Sequence, residues 1–589
     1  MNGKPGADKR RQPRAFVHDI EQHASWDTWA EKLISRKKPV AIRKLVSDQA
    51  THPLAWSIDD RIDSASVEAI NQLDGLRKKR RAGEPADWSA VVEEWYQRVD
   101  EKGTANLSFA TECVAWANSL SYLAPRMGAE CWWDLFNFLL ETAREAVGSY
   151  VVDTKHNDAE LSTIGQLLTA ELPMTLGYWF PKIDICSELA TAGRESLNAT
   201  IVELLDGEGM PHARFLSQSR QLLASWTRSL FIDRHLRGNR IKSEARLQFE
   251  WFVRQTLRLV RNDGSFAFDQ GLKNTRKGIG RELISAALKV GGDEADVEIF
   301  ERLNAKGSVS KNGHLPNPSE HSEWAELAIL RSDWSRNSAF CVVGFNDATV
   351  RTELAIADTV LLSGQDIPEL TVDGQPANIE STWEEVCWES DDDIDYVELE
   401  ATYDNGIKVQ RQVLLAREDR FFFTADAIVG NSNANMDYKR VLPFTNAISA
   451  KSADETREES LHAKRRIGTV MPLALPEWRV SSHRGEYKNG RLRQSTKASG
   501  MYCPVFIDLD EKRKRRSITW RQLTVAEKLE IVGPEVAVAF RIQIGDENWI
   551  VYRSIAKPAN RTFLGQNHTT EFLVARFVEG ELELLIEVQ

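Results

Sequence analysis

The sequence has no apolar run approaching the ~18–20 residues needed to cross a bilayer, and Met1 to Arg14 is polar and basic with no apolar stretch behind it. A membrane partner and a secretory leader are therefore not expected, and the cytoplasm is the expected compartment. Cysteine is scarce. The six residues, Cys113, Cys131, Cys186, Cys341, Cys387 and Cys503, show no short C-x-x-C spacing, so neither a zinc knuckle nor a disulfide framework is written here. A Gly-rich phosphate loop, a nucleophile elbow and an H-E-x-x-H helix are also missing, and nothing asks for a cofactor or a metal. Positive charge is in deficit, with 75 Lys and Arg against 87 Asp and Glu and a net charge of -12. That balance argues against a dedicated nucleic-acid binder, whose binding face needs surplus cations.

What is present is length and hydrophobic pattern. With 589 residues, 42% of them hydrophobic, the chain is long enough for more than one core. From about Ser66 to Gly307 apolar residues recur at helical spacing. The clearest segments are Asp87–Lys102, Leu107–Leu123, Ala129–Val147, Ala159–Phe180, Ile185–Leu205, Ala213–Leu236, Ala245–Val260 and Arg281–Val290. Pro173 should kink or split the fourth. After a Gly-, Asn-, Ser- and Pro-rich stretch, Asn304–Pro318, the period falls to two. Ala325–Arg331, Ala339–Phe345, Arg351–Leu362, Tyr396–Tyr403, Lys408–Ala416, Arg420–Val429, Val536–Ile544 and Ile550–Ile555 read as strands, with Asp404-Asn405-Gly406 as a hairpin turn. The expected organisation is a partly ordered extension (1–60), a helical domain (61–307), a linker (308–322) and an antiparallel β-sandwich (323–589).

Several stretches resemble the heparinase II/III-like polysaccharide lyases. Trp324–Trp334, an apolar run ending in Leu330-Arg331-Ser332-Asp333-Trp334, is similar to that family's opening sandwich strand. Arg411–Ala416 followed by Asp419–Phe423 resembles its paired strands, and Arg261–Ser265 its Asp-Gly-Ser turn. The resemblance implies an incomplete (α/α) toroid followed by a large antiparallel β-sandwich. It also implies β-elimination on an acidic, uronate-containing oligo- or polysaccharide. That chemistry needs the uronate carboxyl neutralised, a base at C5 and an acid at the leaving oxygen.

Carried over by residue, His156 and Asn157, with Glu160 following, resemble the family's Asn/His pair on a groove-lining helix. The alternative is that Asn157 or Asp158 is only a helix cap. Leu205–His212 resembles the Asp-Gly turn that precedes the catalytic tyrosine; here no tyrosine follows and His212 stands nearest, with Tyr178 as another proton carrier. Arg214, Arg220, Arg228 and His235 suggest a cationic stripe toward a polyanion, or else an ordinary solvated helix face. Trp179 is the expected sugar platform among mostly core tryptophans. Where the family carries a His-Gly-His-Ala-Asp type motif, this chain reads Val343-Gly344-Phe345-Asn346-Asp347, leaving Asn346 as a substrate-contact candidate and standard catalysis in doubt. A catalytically inactive glycan-binding or scaffolding protein is the main alternative. A toroid-type hydrolase using Asp206 and Glu208 is a second. The basic runs Arg77–Arg81 and Lys512–Arg516 and the acidic run Asp391–Asp393 read as solvated loops, with polyanion and calcium binding as the respective minority readings.

Overall fold

The computed structural model describes residues 26–35, 53–76, 87–102, 106–149, 158–236, 238–269, 278–305, 314–346, 348–480 and 485–589. The chain divides into two compact units, Met1–Phe300 and Glu301–Gln589.

The first unit is helical: α1 (Trp26–Ser35), α2 (Ser64–Gly75), α3 (Trp88–Lys102), α4 (Leu107–Leu123), α5 (Ala129–Ser149), α6 (Ala159–Gly165), α7 (Leu172–Trp179), α8 (Asp184–Leu204), α9 (Ser219–Asp233), α10 (Ser243–Leu259) and α11 (Ile279–Gly291). A twelfth, α12 (Glu294–Asn304), carries the chain across the boundary. Several starts are written in short polar side chains that satisfy otherwise orphaned N–H groups. Asp63 accepts from Ser66 N, Asn106 from Phe109 N and Asp158 from Glu160 N, at 2.9, 2.9 and 2.8 Å. Between α6 and α7 the helix continues as a π segment, Gln166–Glu171, where Leu172 N donates to Leu167 O. Pro173 lacks an N–H and crowds the carbonyl four residues back, so the chain takes up one extra residue ahead of it. The expected kink is realised as this widened turn.

Two helical expectations change. Ala213–Gln218 is 3₁₀ and only Ser219–Asp233 is α-helical. Residues 53–59, assigned to the extension, pack into the helical core, where Trp56 is wholly buried. Trp26 and Trp29 of α1 likewise cluster with Trp132 and Trp133 of α5. Helix α9 is buried on every side although it carries Arg220, Arg228 and Asp233.

The second unit is antiparallel β throughout its strand pairings and is built in layers. An 11-stranded sheet lies between two five-stranded sheets, and a small four-stranded sheet covers the outermost one. Its spine is a pair of long strands, Phe421–Val441 and Arg491–Asp508, in register from Phe421↔Asp508 to Val429↔Gly500 and, beyond a bulge, to Val441↔Arg491. Both faces of this sheet are covered, which explains the unbroken apolar run Phe421-Phe422-Phe423. Phe422, Val505 and Ile507 enter one core; Phe421, Phe423 and Phe506 enter the other. The expected single strand Arg351–Leu362 is instead a hairpin, Arg351–Ile356 and Thr359–Gln365, turned at Ala357 with φ 51°. Asp404–Gly406 does close a hairpin between Ile394–Tyr403 and Ile407–Ala416.

The first sandwich core also holds charge. Arg411 faces Asp426 across two strands, and Arg440 reaches Asp366 at 2.8 Å. Burial alone would raise the Asp426 pKa, but Arg411 and Arg440 overcome it and hold the carboxyl at about 2.

Candidate functional site

The stretch α6–π–α7 and helix α9 run side by side and set the geometry of the candidate residues. Near their starts, Thr163 Oγ1 donates to Gln218 at 3.3 Å, which brings the first turn of α6 against the 3₁₀ segment after His212. Near their ends, the rings of Tyr178 and His235 lie 6.3 Å apart. Eighteen residues separate Glu160 from Tyr178, and at ~1.5 Å per residue the two ends stand roughly 25 Å apart. One sugar linkage cannot span that distance. The structure therefore groups Glu160, His212 and Arg214 at one end, and Tyr178, Trp179 and His235 at the other.

At the first end the Asp-Gly turn is a backbone device. Asp206 accepts from the N–H groups of Glu208 and Met210, both at 2.8 Å, so its carboxylate is engaged in shaping the loop. Both bonds fall on Oδ1, which gives the Asp206 carboxylate a structural task in this turn. Gly209 has φ +76°, and a Cβ there would lie 2.5 Å from Phe252 N of α10, so the turn is seated on that helix only with glycine. The turn delivers His212, which is buried and caps the 3₁₀ segment, its Nδ1 accepting from Arg214 N at 3.3 Å. An Nδ1 that accepts fixes the neutral ring with its proton on Nε2. Arg214 is half-buried, its guanidinium lying 5.6 Å from the Phe215 ring centre, and its Nε has no partner among the described residues. Glu160 is half-buried in the first turn of α6, where the positive end of the helix also lies. His156 and Asn157 fall outside the described residues.

Arg220 and Arg228 correct the expectation of an open cationic stripe. Both are about 1% exposed. Arg228 grips Glu171 with Nε and Nη2 and gives Nη1 to Pro53 O at 3.0 Å. Arg220 engages Asp269, Asp59 and the carbonyl of Trp56. They hold residues 53–59 and the π segment in place and present no charge to solvent. On α10, Arg254 pairs with Asp293 and Asp296, and Arg258 is buried against Gln255.

At the other end Trp179 is buried and meets Tyr122 edge-on with ring centres 6.0 Å apart, so it offers no open platform. Tyr178 is also buried. His235 is exposed, its Nδ1 2.9 Å from Phe231 O.

In the β unit, Val343 and Phe345 are buried in the first core. Asn346 follows, half-buried at the end of strand Ala339–Gly344. Asp391 closes a turn by accepting from Asp393 N and Ile394 N at 2.8 Å, and Asp395 is held by Arg417. Among the described residues no group of three or more His, Cys, Asp or Glu is placed to hold a metal ion. One pairing had no sequence signal. The His321 ring stacks on Trp388 at 4.7 Å with Nε2 3.3 Å from Glu385, and burial, with Glu323 nearby, pushes the Glu385 carboxyl up to about 7.

No sequence model of a known family and no curated protein matches the chain. Solved structures do. A heparinase III matches with a TM-score of 0.61 at 11% identity, covering 93% of this chain and 98% of that one. A second heparinase III gives 0.54 at 11%, covering 93% and 97%. A mutant of the heparan sulfate lyase from Pedobacter heparinus gives 0.52 at 12%, covering 92% and 97%. The shared property at these identities is the fold: a helical toroid followed by an antiparallel β-sandwich.

Proposed function

We propose that this chain binds an acidic, uronate-containing oligo- or polysaccharide at the end of the helical unit where Glu160, His212 and Arg214 meet, and cleaves it by β-elimination. The observation that carries the reading is Arg214. Unlike Arg220 and Arg228, this half-buried guanidinium has no carboxylate partner among the described residues, and it stands two residues from a histidine. Its place beside a helix N-terminus suits a uronate carboxylate, which it would neutralise as charge builds during removal of the C5 proton. His212, with its Nδ1 engaged by a backbone N–H, has the tautomer of a donor. Its neutral Nε2–H suits a hydrogen bond that stabilises the departing glycosidic oxygen while water delivers the proton to it, not removal of the C5 proton. The base then falls to His156, four residues ahead of Glu160, with Asn157 supplying an amide to the carboxyl group. Electrons from the broken C5–H bond form the C4–C5 double bond, the C4–O bond breaks, and the product is an unsaturated uronate.

The test is ultraviolet absorbance of unsaturated uronates on a panel of uronic-acid glycans. Wild type should generate the band, and Arg214→Gln should lower kcat/KM by roughly 10²–10³-fold. Binding by wild type without any unsaturated product would favour the second reading, a glycan-binding protein without catalysis. That reading rests on Val343 and Phe345 standing in the core where the family motif has imidazoles. Unchanged affinity in Arg214→Gln would sink both.

A further inference from the structure

Although the chain is acidic overall, one end of its sandwich is not. Strand Arg466–Pro472 pairs with strand Arg491–Asp508 through Thr469↔Asp508, and Phe421 pairs with the same Asp508. The turns at 417–420, 463–465 and 509–517 therefore emerge at one end of the central sheet, a few ~4.8 Å strand spacings apart. Two of these turns concentrate cations: Lys464 and Arg465 on one, and Lys512, Lys514, Arg515 and Arg516 on the other. Lys514 is half-buried; the other five are exposed.

These charges sit on a fixed platform. Arg513, in the middle of the run, turns inward: it is buried, holds Asp508 at 2.7 and 3.0 Å, reaches Glu547 at 2.6 Å and lies 4.9 Å over the Trp549 ring. Asp510 caps the short 3₁₀ turn by accepting from Lys512 N. Glu511 ties the two turns together, meeting Arg465 at 2.7 Å and Lys514 at 2.9 Å. The side chain of Arg516 lies against Gly545 of the neighbouring hairpin, whose N–H donates to Ser517 O. The nearby carboxylates are largely spoken for: Asp508 and Glu547 by Arg513, Asp419 by Arg576, and Glu511 as just described.

We propose that this end of the sandwich is a docking surface for a sulfated or carboxylated polysaccharide chain, formed by residues other than those of the site in the helical unit. Guanidinium and ammonium groups projecting from anchored turns match a polymer with repeated anionic groups, and the contacts of Arg465, Lys514 and Arg516 lower the ordering cost for part of the set. Nucleic acid is the less suitable polyanion. The turns carry no aromatic side chain on which bases could stack, and no helix lies among them to enter a groove.

The test uses the full chain and heparin as the probe, with binding measured by titration across a series of salt concentrations and a DNA duplex of similar charge as competitor. The variant R465A/K512A/R515A/R516A removes exposed charges only. It should keep the wild-type melting temperature, bind heparin roughly tenfold or more weakly at ~0.1 M salt, and show a flatter dependence of log affinity on log salt. The double variant R515Q/R516Q should give part of that effect. Adding the four substitutions to Arg214→Gln should cost the same further loss of heparin affinity and salt slope as adding them to wild type, which separates this surface from the helical site. Wild-type affinity and salt slope in the quadruple variant would overturn the proposal. So would a duplex that binds as tightly as heparin.

Discussion

Arg228→Met should unsettle the helical unit and leave the β unit untouched. Arg228 and Glu171 are both essentially without solvent, and the guanidinium also supports the carbonyl of Pro53. Removing the cation leaves Glu171 buried without its partner, a change that costs about 3–5 kcal/mol. For a unit of this size, ~2 °C per kcal/mol converts that cost to a fall of roughly 6–10 °C in its melting transition. Replacing both partners, in the variant E171L/R228M, removes the stranded charge along with the pair and should recover most of the loss, because apolar residues of similar volume are often neutral at such sites. Calorimetry of the two single variants, the double and the wild type yields the coupling energy, expected at about 2 kcal/mol or more. A helical transition in Arg228→Met within ~2 °C of wild type, or simple additivity in the double variant, would refute the assignment of this arginine to structure.

The Glu385 carboxyl, raised from 4.5 to about 7, contributes stability that is fully present below pH 4.5 and lost as pH rises through 7. Glu385→Gln should therefore match wild type in urea near pH 5 and exceed it by ~1–2 kcal/mol at pH 8, a figure reduced for the partial exposure of the site; an equal gap at both pH values would count against it. Gly209→Ala should cost ~2 kcal/mol and weaken glycan affinity together, since the added methyl forces the turn bearing His212 off α10. Normal melting and normal affinity would show that the turn tolerates the shift. Tyr178→Phe should leave any unsaturated-uronate production within about twofold of wild type, given the ~25 Å between the two ends of the helix.

The two-part architecture was legible because it depends on hydrophobic period, which changes near Asn304–Pro318 and can be read one residue at a time. Leu107–Leu123 was found to the residue, since its Asn106 cap and its uniform apolar and small content admit little else. Of the two spine strands, the first was read only as far as Val429 and Arg491–Asp508 was not read as a strand, for the opposite reason: Arg491–Thr496 is polar, and pairing with Met436–Val441 decides its state. Helix α9 shows a different limit. Arg220 and Arg228 have the spacing of a cationic face, but their carboxylates come from Asp59, Asp269 and Glu171, 161, 49 and 57 positions away in the chain. No local pattern reveals such partners. His321 and Glu385 met through the same kind of long-range approach.

Helix geometry also constrains how catalysis could be shared among the candidate groups. A tyrosine at the end of α7 is tied by the rise of the backbone to the far end from Arg214, so the proton donor and acceptor must both come from the loop and helix start near Glu160. His212 is oriented as a donor by the same N–H that caps its own segment, and a single imidazole with Nδ1 so engaged cannot also remove the C5 proton in its neutral form. An active enzyme thus requires a second proton carrier, and His156 is the histidine nearest in sequence to Glu160. His156→Gln should abolish unsaturated product while retaining glycan affinity, whereas Arg214→Gln should lose turnover and weaken glycan affinity as well. Retention of turnover in His156→Gln would move the base elsewhere and remove the reason for grouping these residues as one catalytic set.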